Sequence, residues 1–418
     1  MIKVYKKLFS YVPEFKYLAY LAILLAALST VFTIGAFYDM YLFLNHLIVQ
    51  NNATNITHYA KTVVGFMMTG IGIYLISGLL THIVAFRLET NLRKKGIDAL
   101  SQSNFAYFDT HTSGYIRKTI DDNAAETHTI VAHLIPDNTT SVMTLLLLVL
   151  ATFAVNVYLG LALILLAVVA LLQIKQMMGN AEFMDAYMKA LEKMNSETVE
   201  YVRGMQVIKI FKTSVQSFKA LYTAIKSYSD YALNYSFSCR TAFIIFQVMF
   251  ATYATLIVPI YLYFVPQSQQ LALLPKFIFF YFAVGLLYVT FMRIMYVFMY
   301  QYKGSASTEK IETLFDEMTS HKVANGTEEV FKNGDIVFDK VSFGYEEQKI
   351  IDNLSFKLAE NKVYAFVGSS GSGKSTIAKL IAGHYPVDSG NITIGGKVIT
   401  TYSQKALMRQ IAFVFQQS

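Results

Sequence analysis

Residues 363–382 read VYAFVGSSGSGKSTIAKLIA, and this stretch decides the fold of the C-terminal part of the chain. The apolar run Val363–Val367 predicts a strand, and the spacing of Thr376–Ala382 predicts a helix. Between them, Gly368-Ser-Ser-Gly-Ser-Gly-Lys-Ser375 has the Gly-x-x-x-x-Gly-Lys-Ser spacing of a phosphate-binding P-loop. The alternative is a Gly/Ser-rich loop with a chance lysine. The predicted strand before the loop and the predicted helix after it argue against that alternative.

Each residue type in this loop suits the binding of phosphate. Glycines allow the backbone to turn several N–H groups toward an anion, and the following helix points the positive end of its dipole at that anion. Lys374 can reach the β- and γ-phosphate oxygens, and Ser375 can ligate Mg²⁺. Thr376 can donate a hydrogen bond to the α-phosphate. The predicted nucleotide-binding residues of this stretch are Gly368, Ser369, Gly371, Ser372, Gly373, Lys374, Ser375 and Thr376.

The composition is that of a membrane protein. Of 418 residues, 54% are hydrophobic and 15% are charged, against about 25% charged in an average soluble domain. A helix needs about 20 apolar residues to cross the hydrocarbon core of a bilayer. Six runs meet this length: Tyr17–Phe43, Val63–Phe86, Val131–Val155, Leu159–Met178, Ala242–Val265 and Phe277–Tyr300. Because Cys239 is the single cysteine, an intrachain disulfide and a cysteine-based zinc site are excluded.

The basic residues predict the orientation of these runs. Lys and Arg cluster before the first run and within residues 87–118 and 189–226, whereas residues 45–60 and 266–275 carry none. Basic residues collect on the cytoplasmic side, so we expect a multi-pass plasma-membrane protein with its N-terminus and P-loop domain in the cytoplasm. The same rule accounts for the net charge of +7. We therefore expect membrane lipid, and no nucleic acid, as a partner.

The polar connections between the runs predict long helical extensions into the cytoplasm. Residues 87–130 and 179–240 keep helical spacing, with turns expected at Phe105–Gly114 and near Gly204. Further downstream, Ile336–Phe343 and Leu354–Leu358 predict strands, and Glu309–Met318 predicts a helix within a charged linker. The predicted fold class is an all-α membrane domain of six helices with cytoplasmic extensions, followed by an incomplete α/β P-loop domain. The predicted domains are a membrane domain at 1–302, a linker at 303–333 and a nucleotide-binding domain at 334–418.

A six-span membrane domain followed by this P-loop resembles a half-transporter of the ATP-binding cassette (ABC) superfamily, of the exporter type. Val341-Ser-Phe-Gly-Tyr345 resembles the family's A-loop, so the resemblance assigns to Tyr345 the ring that stacks on adenine. Ile411-Ala-Phe-Val-Phe-Gln416 resembles the strand that leads to the Q-loop. This likeness implies that Gln416 takes part in catalysis by contacting Mg²⁺ and sensing the γ-phosphate. The alternative for Tyr345 is an ordinary tyrosine at the end of a strand, without a role in binding. The alternative for Gln416 is a glutamine of a Gln-Gln pair without a role in catalysis.

The resemblance also implies cofactors and a partner. ATP and Mg²⁺ are the implied cofactors, and a second half-transporter, in a homodimer or a heterodimer, is the implied partner. Phe108–Gly114 and Glu200–Phe211 resemble the family's coupling segments, which dock on nucleotide-binding domains and transmit their closure to the membrane helices. Solvated helical hairpins are the alternative for both segments.

The implied function is an ATP-driven translocase of unknown substrate, with export favoured, although some resembling groups import metal–siderophore complexes. The sequence around Phe415-Gln416 resembles those bacterial groups, which implies a bacterial plasma membrane. The signature motif, the Walker B aspartate and the switch histidine of the family are not found before Ser418, so we do not expect this chain to hydrolyse ATP by itself. The alternative function is a truncated, non-catalytic nucleotide-binding membrane protein that regulates or pairs with a full-length transporter. A third alternative is a membrane receptor fused to an unrelated P-loop kinase. It is weak, because the likeness of the coupling segments and the spacing of Tyr345 from the P-loop would then be coincidences.

Arg293 is a charged residue inside the sixth apolar run. A charge within a span costs at least about 2.5 kcal/mol on insertion scales, and such residues usually face the bundle interior or water. One hypothesis is that Arg293 faces a central cavity and meets an anionic or polar group of the substrate. The other is that its side chain extends to the lipid headgroups. For Arg240, at the inner start of the fifth run, the headgroup interpretation is favoured.

Overall fold

The structure is a computed structural model that describes residues 2–52, 54–211, 219–320, 326–345 and 348–414. Most of these residues are helical. The helices of the N-terminal part are α1 (Ile2–Ser10), α2 (Lys16–Ile48), α3 (Ile56–Gln102), α4 (Phe105–Thr110), α5 (Ser113–Thr129), α6 (Ile135–Val155), α7 (Val157–Met177), α8 (Ala181–Phe211), α9 (Lys219–Tyr263) and α10 (Gln267–Ser320). The C-terminal part contains β1 (Ile336–Tyr345), β2 (Gln348–Leu358), α11 (Lys374–Ile381), β3 (Ser389–Ile394), β4 (Lys397–Val398) and α12 (Gln404–Gln410).

The predicted number of membrane spans is confirmed. Six helical segments of the described chain are long and apolar enough to cross a bilayer. They are Pro13–Ile48, Ile56–Gln102, Ser113–Val155, Val157–Met177, Lys219–Tyr263 and Gln267–Ser320. Four of them have more than 40 residues, which at 1.5 Å per residue is far longer than a bilayer core, as the helical spacing of the polar connections predicts.

The residues fall into two compact units. The membrane unit consists of Pro13–Ala85 and Thr129–Lys303, and the P-loop unit consists of Met1–Val12, Phe86–His128 and Gly304–Ser418. In the membrane unit, the buried core comes mainly from α6, α7, α9 and α10. Aromatic rings fill much of this core, among them Phe246, Phe250, Phe280 and Phe291.

The short break between the third and fourth spans is made by one residue. Asn156 has an extended backbone, and its side-chain oxygen accepts hydrogen bonds from the N–H groups of Tyr158 and Leu159 at 3.0 and 3.1 Å. An asparagine at this position satisfies N–H groups that a helix start leaves without partners. One polar residue therefore ends α6 and begins α7.

A turn of π-helix, Ile130–Leu134, joins α5 to α6. Pro136 lies just after it, and because proline has no N–H, the carbonyl oxygen of Ala132 loses its regular helical donor. The hydroxyl of Thr81 lies 2.8 Å from that oxygen and 2.9 Å from the carbonyl oxygen of Gly78. The widened turn therefore has a local cause in the proline, and a side chain of α3 lies at the freed carbonyl.

The P-loop unit contains a four-stranded antiparallel sheet in the order β2-β1-β3-β4. Its register pairs Phe338 of β1 with Phe356 of β2 and with Ile392 of β3. A buried cluster on this sheet includes Phe338 and Val341 together with Ile377 and Leu380 of α11. The helix after the P-loop is thus packed on the sheet by its apolar face, as the helical spacing of Thr376–Ala382 predicts.

Two predicted strands are wrong for the described residues. Regular secondary structure is absent from Val363–Val367 and from residues 411–414, the described part of the predicted strand Ile411–Gln416. Val363 and Val367 are 101% and 91% exposed. A strand is stable when neighbouring strands satisfy its backbone hydrogen bonds. Within the part of the chain that the structure describes, no strand forms a hydrogen-bonded ladder with either segment. Both segments are apolar, but the pairing that would make them strands is missing from the described residues.

The predicted break near Gly204 is also wrong, because α8 is continuous from Ala181 to Phe211. One glycine in a helix interior costs only about 1 kcal/mol relative to alanine, which a helix of 31 residues tolerates. The segment Glu309–Met318 is helical as predicted. It belongs to α10, however, which continues from the sixth span without a break to Ser320.

The predicted turn within Phe105–Gly114 is confirmed. α3 ends at Gln102, the short helix α4 follows, and α5 begins at Ser113. The side-chain oxygen of Asn104 accepts a hydrogen bond from the N–H of Tyr107 at 3.2 Å, which caps α4.

Candidate nucleotide-binding site

The P-loop glycines have the backbone that a phosphate cradle needs. Gly371 and Gly373 both have φ of +83°, in the left-handed region, and Gly373 caps the N-terminus of α11. A Cβ on Gly373 would lie 3.2 Å from Cγ2 of Ile350. A side chain at this position would therefore meet both backbone strain and a packed neighbour. The glycine pattern that predicts the loop thus has a physical reason at Gly373.

Lys374 is the first residue of α11, and its ammonium group lies inside the loop. Its Nζ donates to the carbonyl oxygens of Gly368 and Ser369 at 3.1 and 2.6 Å, and it lies 3.3 Å from Oγ of Ser372. These groups hold a positive charge at the mouth of the loop, beside the positive end of the α11 dipole. An anion placed there would meet the ammonium and the N–H groups of the first helical turn together.

The next two predicted residues differ in accessibility. Ser375 is exposed at the start of α11, so its hydroxyl is open to a ligand. Thr376 is only 6% exposed and lies on the face of α11 that packs on the sheet. The loop therefore fits a phosphate group with a bound metal ion at Ser375, whereas the predicted contact between Thr376 and the α-phosphate involves a buried side chain.

Tyr345 ends β1 beside α11. Its ring meets the ring of Phe343 at 5.1 Å and the ring of Tyr385 at 5.4 Å, both edge to face. The ammonium of Lys379, on α11, lies 5.8 Å from the centre of the Tyr345 ring. Tyr345 is thus half-buried in an aromatic group next to the P-loop helix. Tyr385 was not singled out from the sequence, because no periodic pattern marks it.

The short helix α4, which overlaps the start of the first predicted coupling segment, contacts a residue that follows the P-loop helix. The ring of Phe105, at the start of α4, stacks on the imidazole of His384 at 4.0 Å, and the N–H of Phe105 donates to the carbonyl oxygen of His384 at 3.3 Å. Burial, with a smaller contribution from the positive charge of Lys379, lowers the pKa of His384. The sequence motif begins at Phe108, so it missed the residue that makes this contact.

Tyr107 anchors the same short helix. Its side chain is fully buried, and its ring stacks on the imidazole of His111 at 4.4 Å. Burial, followed by the nearby carboxylate of Glu317, raises the pKa of Tyr107 to about 12. The phenol therefore stays neutral at physiological pH and serves packing in the P-loop unit.

Gln416 lies outside the described residues. Arg293, in the membrane unit, lines a cavity, and its Nη1 donates to Oγ1 of Thr140 at 3.0 Å.

Family models match both parts of the chain. The model of the ABC transporter transmembrane region matches residues 19–287, and the ABC transporter model matches residues 351–418. The chain belongs to the ABC transporter family. The second match contains the P-loop, so these residues belong to the ATP-binding domain of the family, and the first match makes the chain a multi-pass membrane protein.

The relatives include an importer and a flippase. The chain is 26% identical over 362 residues to the mycobactin import ATP-binding/permease protein IrtA of Mycolicibacterium smegmatis, an alignment that covers 85% of this chain and 41% of that protein. The protein of the same name from Mycobacterium tuberculosis is 27% identical over 373 residues, with the same coverage. The ATP-dependent lipid A-core flippase of Idiomarina loihiensis is 38% identical over 117 residues, 27% of this chain and 20% of the flippase. The chain thus spans less than half the length of these relatives.

Proposed function

We propose that this chain binds ATP at the P-loop and, within a complete transporter, couples nucleotide binding and hydrolysis to passage of a substrate through the six-span domain. The observation that carries this proposal is the loop at the N-terminus of α11, in which Gly373 has a positive φ and the ammonium of Lys374 is held by loop carbonyl groups. Backbone N–H groups, a helix N-terminus and one ammonium are the groups that P-loop proteins use for the β- and γ-phosphates.

The proposed roles of the remaining site residues follow the position of the phosphates. Ser375 would ligate Mg²⁺, which neutralises charge on the phosphate oxygens when it is bound. Gln416 would contact the same ion and sense the γ-phosphate. Tyr345, at the end of β1 beside α11, would stack on adenine. The aromatic contacts of Tyr345 with Phe343 and Tyr385 support this role because they fix the position of its ring.

The proposed assembly contains two such membrane domains, in a homodimer or a heterodimer with a second half-transporter. The proposed domain bounds are 1–302 for the membrane domain, 303–333 for the linker and 334–418 for the part of the nucleotide-binding domain in this chain. The distribution of Lys and Arg supports a cytoplasmic N-terminus and P-loop. The alignments with two mycobacterial proteins support a bacterial plasma membrane.

For the direction of transport, two candidates have separate support. The exporter-type resemblance favours export. The alignment with a mycobactin import protein over 85% of this chain favours import, whereas the lipid A-core flippase aligns over only 27%. Counterflow into and out of membrane vesicles that contain the complete transporter would distinguish the two directions.

The test of the nucleotide site is equilibrium binding of a fluorescent ATP analogue to the chain in lipid nanodiscs, with and without Mg²⁺. We expect saturable binding that unlabelled ATP displaces and that Mg²⁺ strengthens. Absence of displaceable binding would contradict the proposal. If binding is saturable but a complete transporter containing this chain shows no ATP-dependent transport, the alternative of a non-catalytic regulatory subunit is favoured.

A further inference from the structure

Two residues of opposite charge line one cavity of the membrane unit. The cavity has a volume of about 680 Å³, and Asp137 and Arg293 are among its lining residues. Both lie on candidate membrane spans, Ser113–Val155 and Gln267–Ser320. Ionisable side chains inside spans are costly and usually mark a path or a binding site. This pair therefore needs an explanation beyond packing.

Arg293 and Asp137 are each held by a neutral partner. Nη1 of Arg293 donates to Oγ1 of Thr140 at 3.0 Å, and the hydroxyl of Tyr74 donates to Oδ1 of Asp137 at 3.0 Å. In the described part of the chain no ion pair joins Arg293 to Asp137. Guanidinium has five N–H donors and a carboxylate has about four acceptor sites, so both groups keep capacity for a ligand.

The π-helical turn before Asp137 supports a binding role. Such turns occur as single widened turns inside α-helices and are frequent at functional sites. Here the turn Ile130–Leu134 contains His133, which also lines the cavity and meets the ring of His82 edge to face at 4.9 Å. One polar residue of the cavity wall, His133, therefore lies on the irregular turn, and Asp137 follows that turn in the first turn of α6.

The rest of the lining is largely apolar or aromatic. It includes Leu134, Val289, Met292, Tyr296 and Val297. Cavities of about 300–1,000 Å³ with apolar walls and a few polar groups are typical of small-molecule sites. A ligand that fits these walls has an apolar or aromatic body.

We propose that this cavity binds the zwitterionic head group of an amphipathic molecule, with its anionic group on Arg293 and its cationic group on Asp137. The charges of the two residues cancel, so a ligand with a single charge would meet one residue of like sign. A zwitterion meets an opposite charge at both positions. This inference rests on the proposed function, because it assigns the substrate class of the transporter.

The experiment uses three photoreactive probes that share one benzophenone body. The probes are 4-benzoylphenylalanine, which is a zwitterion, 3-(4-benzoylphenyl)propanoate, an anion, and 2-(4-benzoylphenyl)ethylamine, a cation. Each is irradiated with the chain in lipid nanodiscs at neutral pH, and labelled peptides are identified by mass spectrometry. We expect the zwitterion to label residues 129–140 and 289–300 with about tenfold higher apparent affinity than either singly charged probe.

Two substitutions separate the two contacts. Arg293→Gln removes the contact to the carboxylate, so the preference for the zwitterion over the amine should disappear. Asp137→Asn removes the contact to the ammonium, so the preference for the zwitterion over the propanoate should disappear. Arg293→Lys keeps the charge and should keep a preference over the amine. Arg240→Gln is the matched control, because Arg240 is exposed and its guanidinium lies 5.1 Å from the ring centre of Phe237. This control should label like the unchanged chain.

Two results would overturn the proposal: equal labelling by the three probes in the unchanged chain, or a zwitterion preference that survives both Arg293→Gln and Asp137→Asn. Size-exclusion profiles in detergent identify variants that fail to fold, and Arg293→Met, which removes the charge but keeps an unbranched side chain, then replaces Arg293→Gln. Binding of the fluorescent ATP analogue is measured on the same samples. Intact nucleotide binding with no probe selectivity refutes the cavity proposal alone, whereas lost nucleotide binding in the unchanged chain refutes the proposed function.

Discussion

The ring of Phe105 stacks on the imidazole of His384, with centroids 4.0 Å apart and planes 25° from parallel. Phe105 begins α4, the short helix between α3 and α5, and His384 lies three residues after the end of α11. The backbone joins the same contact, since the N–H of Phe105 donates to the carbonyl oxygen of His384. If nucleotide binding displaces α11, the stacked rings and this hydrogen bond would therefore transmit the displacement directly to α4.

Phe105→Ala should loosen α4. An aromatic pair contributes about 1 kcal/mol beyond its burial, so amide exchange of residues 105–111 should become about fivefold faster. Hydrogen exchange with mass spectrometry measures this, and addition of ATP with Mg²⁺ should change exchange in this segment less than it does in the unchanged chain. Tyr222→Ala removes an exposed ring of α9 as a control. Unchanged exchange in Phe105→Ala would contradict the anchoring role.

The lowered pKa of His384 predicts a loss of stability in acid. Above its ordinary pKa of 6.5 the imidazole is neutral in the folded and unfolded states, and pH has no effect through this group. As pH falls through 6.5, the unfolded chain takes up a proton that the folded chain resists, so the free energy of unfolding decreases until the folded pKa is passed. His384→Gln should remove this part of the pH dependence of thermal unfolding between about pH 7 and pH 5. An identical pH profile in the variant would contradict the prediction.

Lys374→Ala should weaken nucleotide binding strongly. The substitution removes a charge-assisted contact to phosphate, which is worth about 1.5–3 kcal/mol, so the dissociation constant should rise by at least about tenfold. Titration of the chain in nanodiscs with the fluorescent ATP analogue measures the change. Lys405→Ala removes an exposed lysine on α12 and should leave binding unchanged. Equal affinities in the two variants would contradict the role of Lys374.

The sequence predicts the features that depend on local pattern. The six spans follow from apolar runs, and α11 with its cap at Gly373 follows from the P-loop spacing. Contacts between distant segments are different. Nothing near Phe105 in the sequence indicates His384, and nothing near Asp137 indicates Tyr74, because pairing across so many residues depends on the packing of helices.

The predicted strand Val363–Val367 also shows that a local pattern does not determine contacts with distant segments. An apolar β-branched run has the composition of a buried strand, but a strand also needs neighbours. In the described residues β1 pairs with β2 and β3, and neither edge of that sheet receives this run. The continuous helix through Gly204 is a related case, since one local breaker does not outweigh the rest of a long helix.

Gly373→Ala should impair both stability and nucleotide binding. Its φ of +83° costs a non-glycine residue about 1–2 kcal/mol, and the added Cβ would also lie 3.2 Å from Cγ2 of Ile350. Gly396→Ala is a matched control, because Gly396 has φ of +80° with nothing within 4 Å of an added Cβ. The midpoint temperature of thermal unfolding should be lower in both variants, and lowest in Gly373→Ala. The affinity for nucleotide should fall only in Gly373→Ala. A normal nucleotide affinity in that variant would contradict the cradle geometry.

The second coupling segment, Glu200–Phe211, should contact the nucleotide-binding domain of a partner chain. Val202 in this segment is 64% exposed. The sequence of the segment is dense in apolar residues, and such density at a cytoplasmic tip suits a docking surface: Val202, Met205, Val207, Ile208, Ile210 and Phe211. A Cys239→Ser chain has no cysteine, so Met205→Cys can then be labelled with a maleimide benzophenone. On irradiation with a differently tagged second copy, we expect cross-links to residues 334–418 of that copy. Tyr263→Cys, at the far end of α9, is the control and should give none of these cross-links. If Met205→Cys also gives none in an assembly that transports its substrate, Glu200–Phe211 is a solvated helix and the coupling role is wrong.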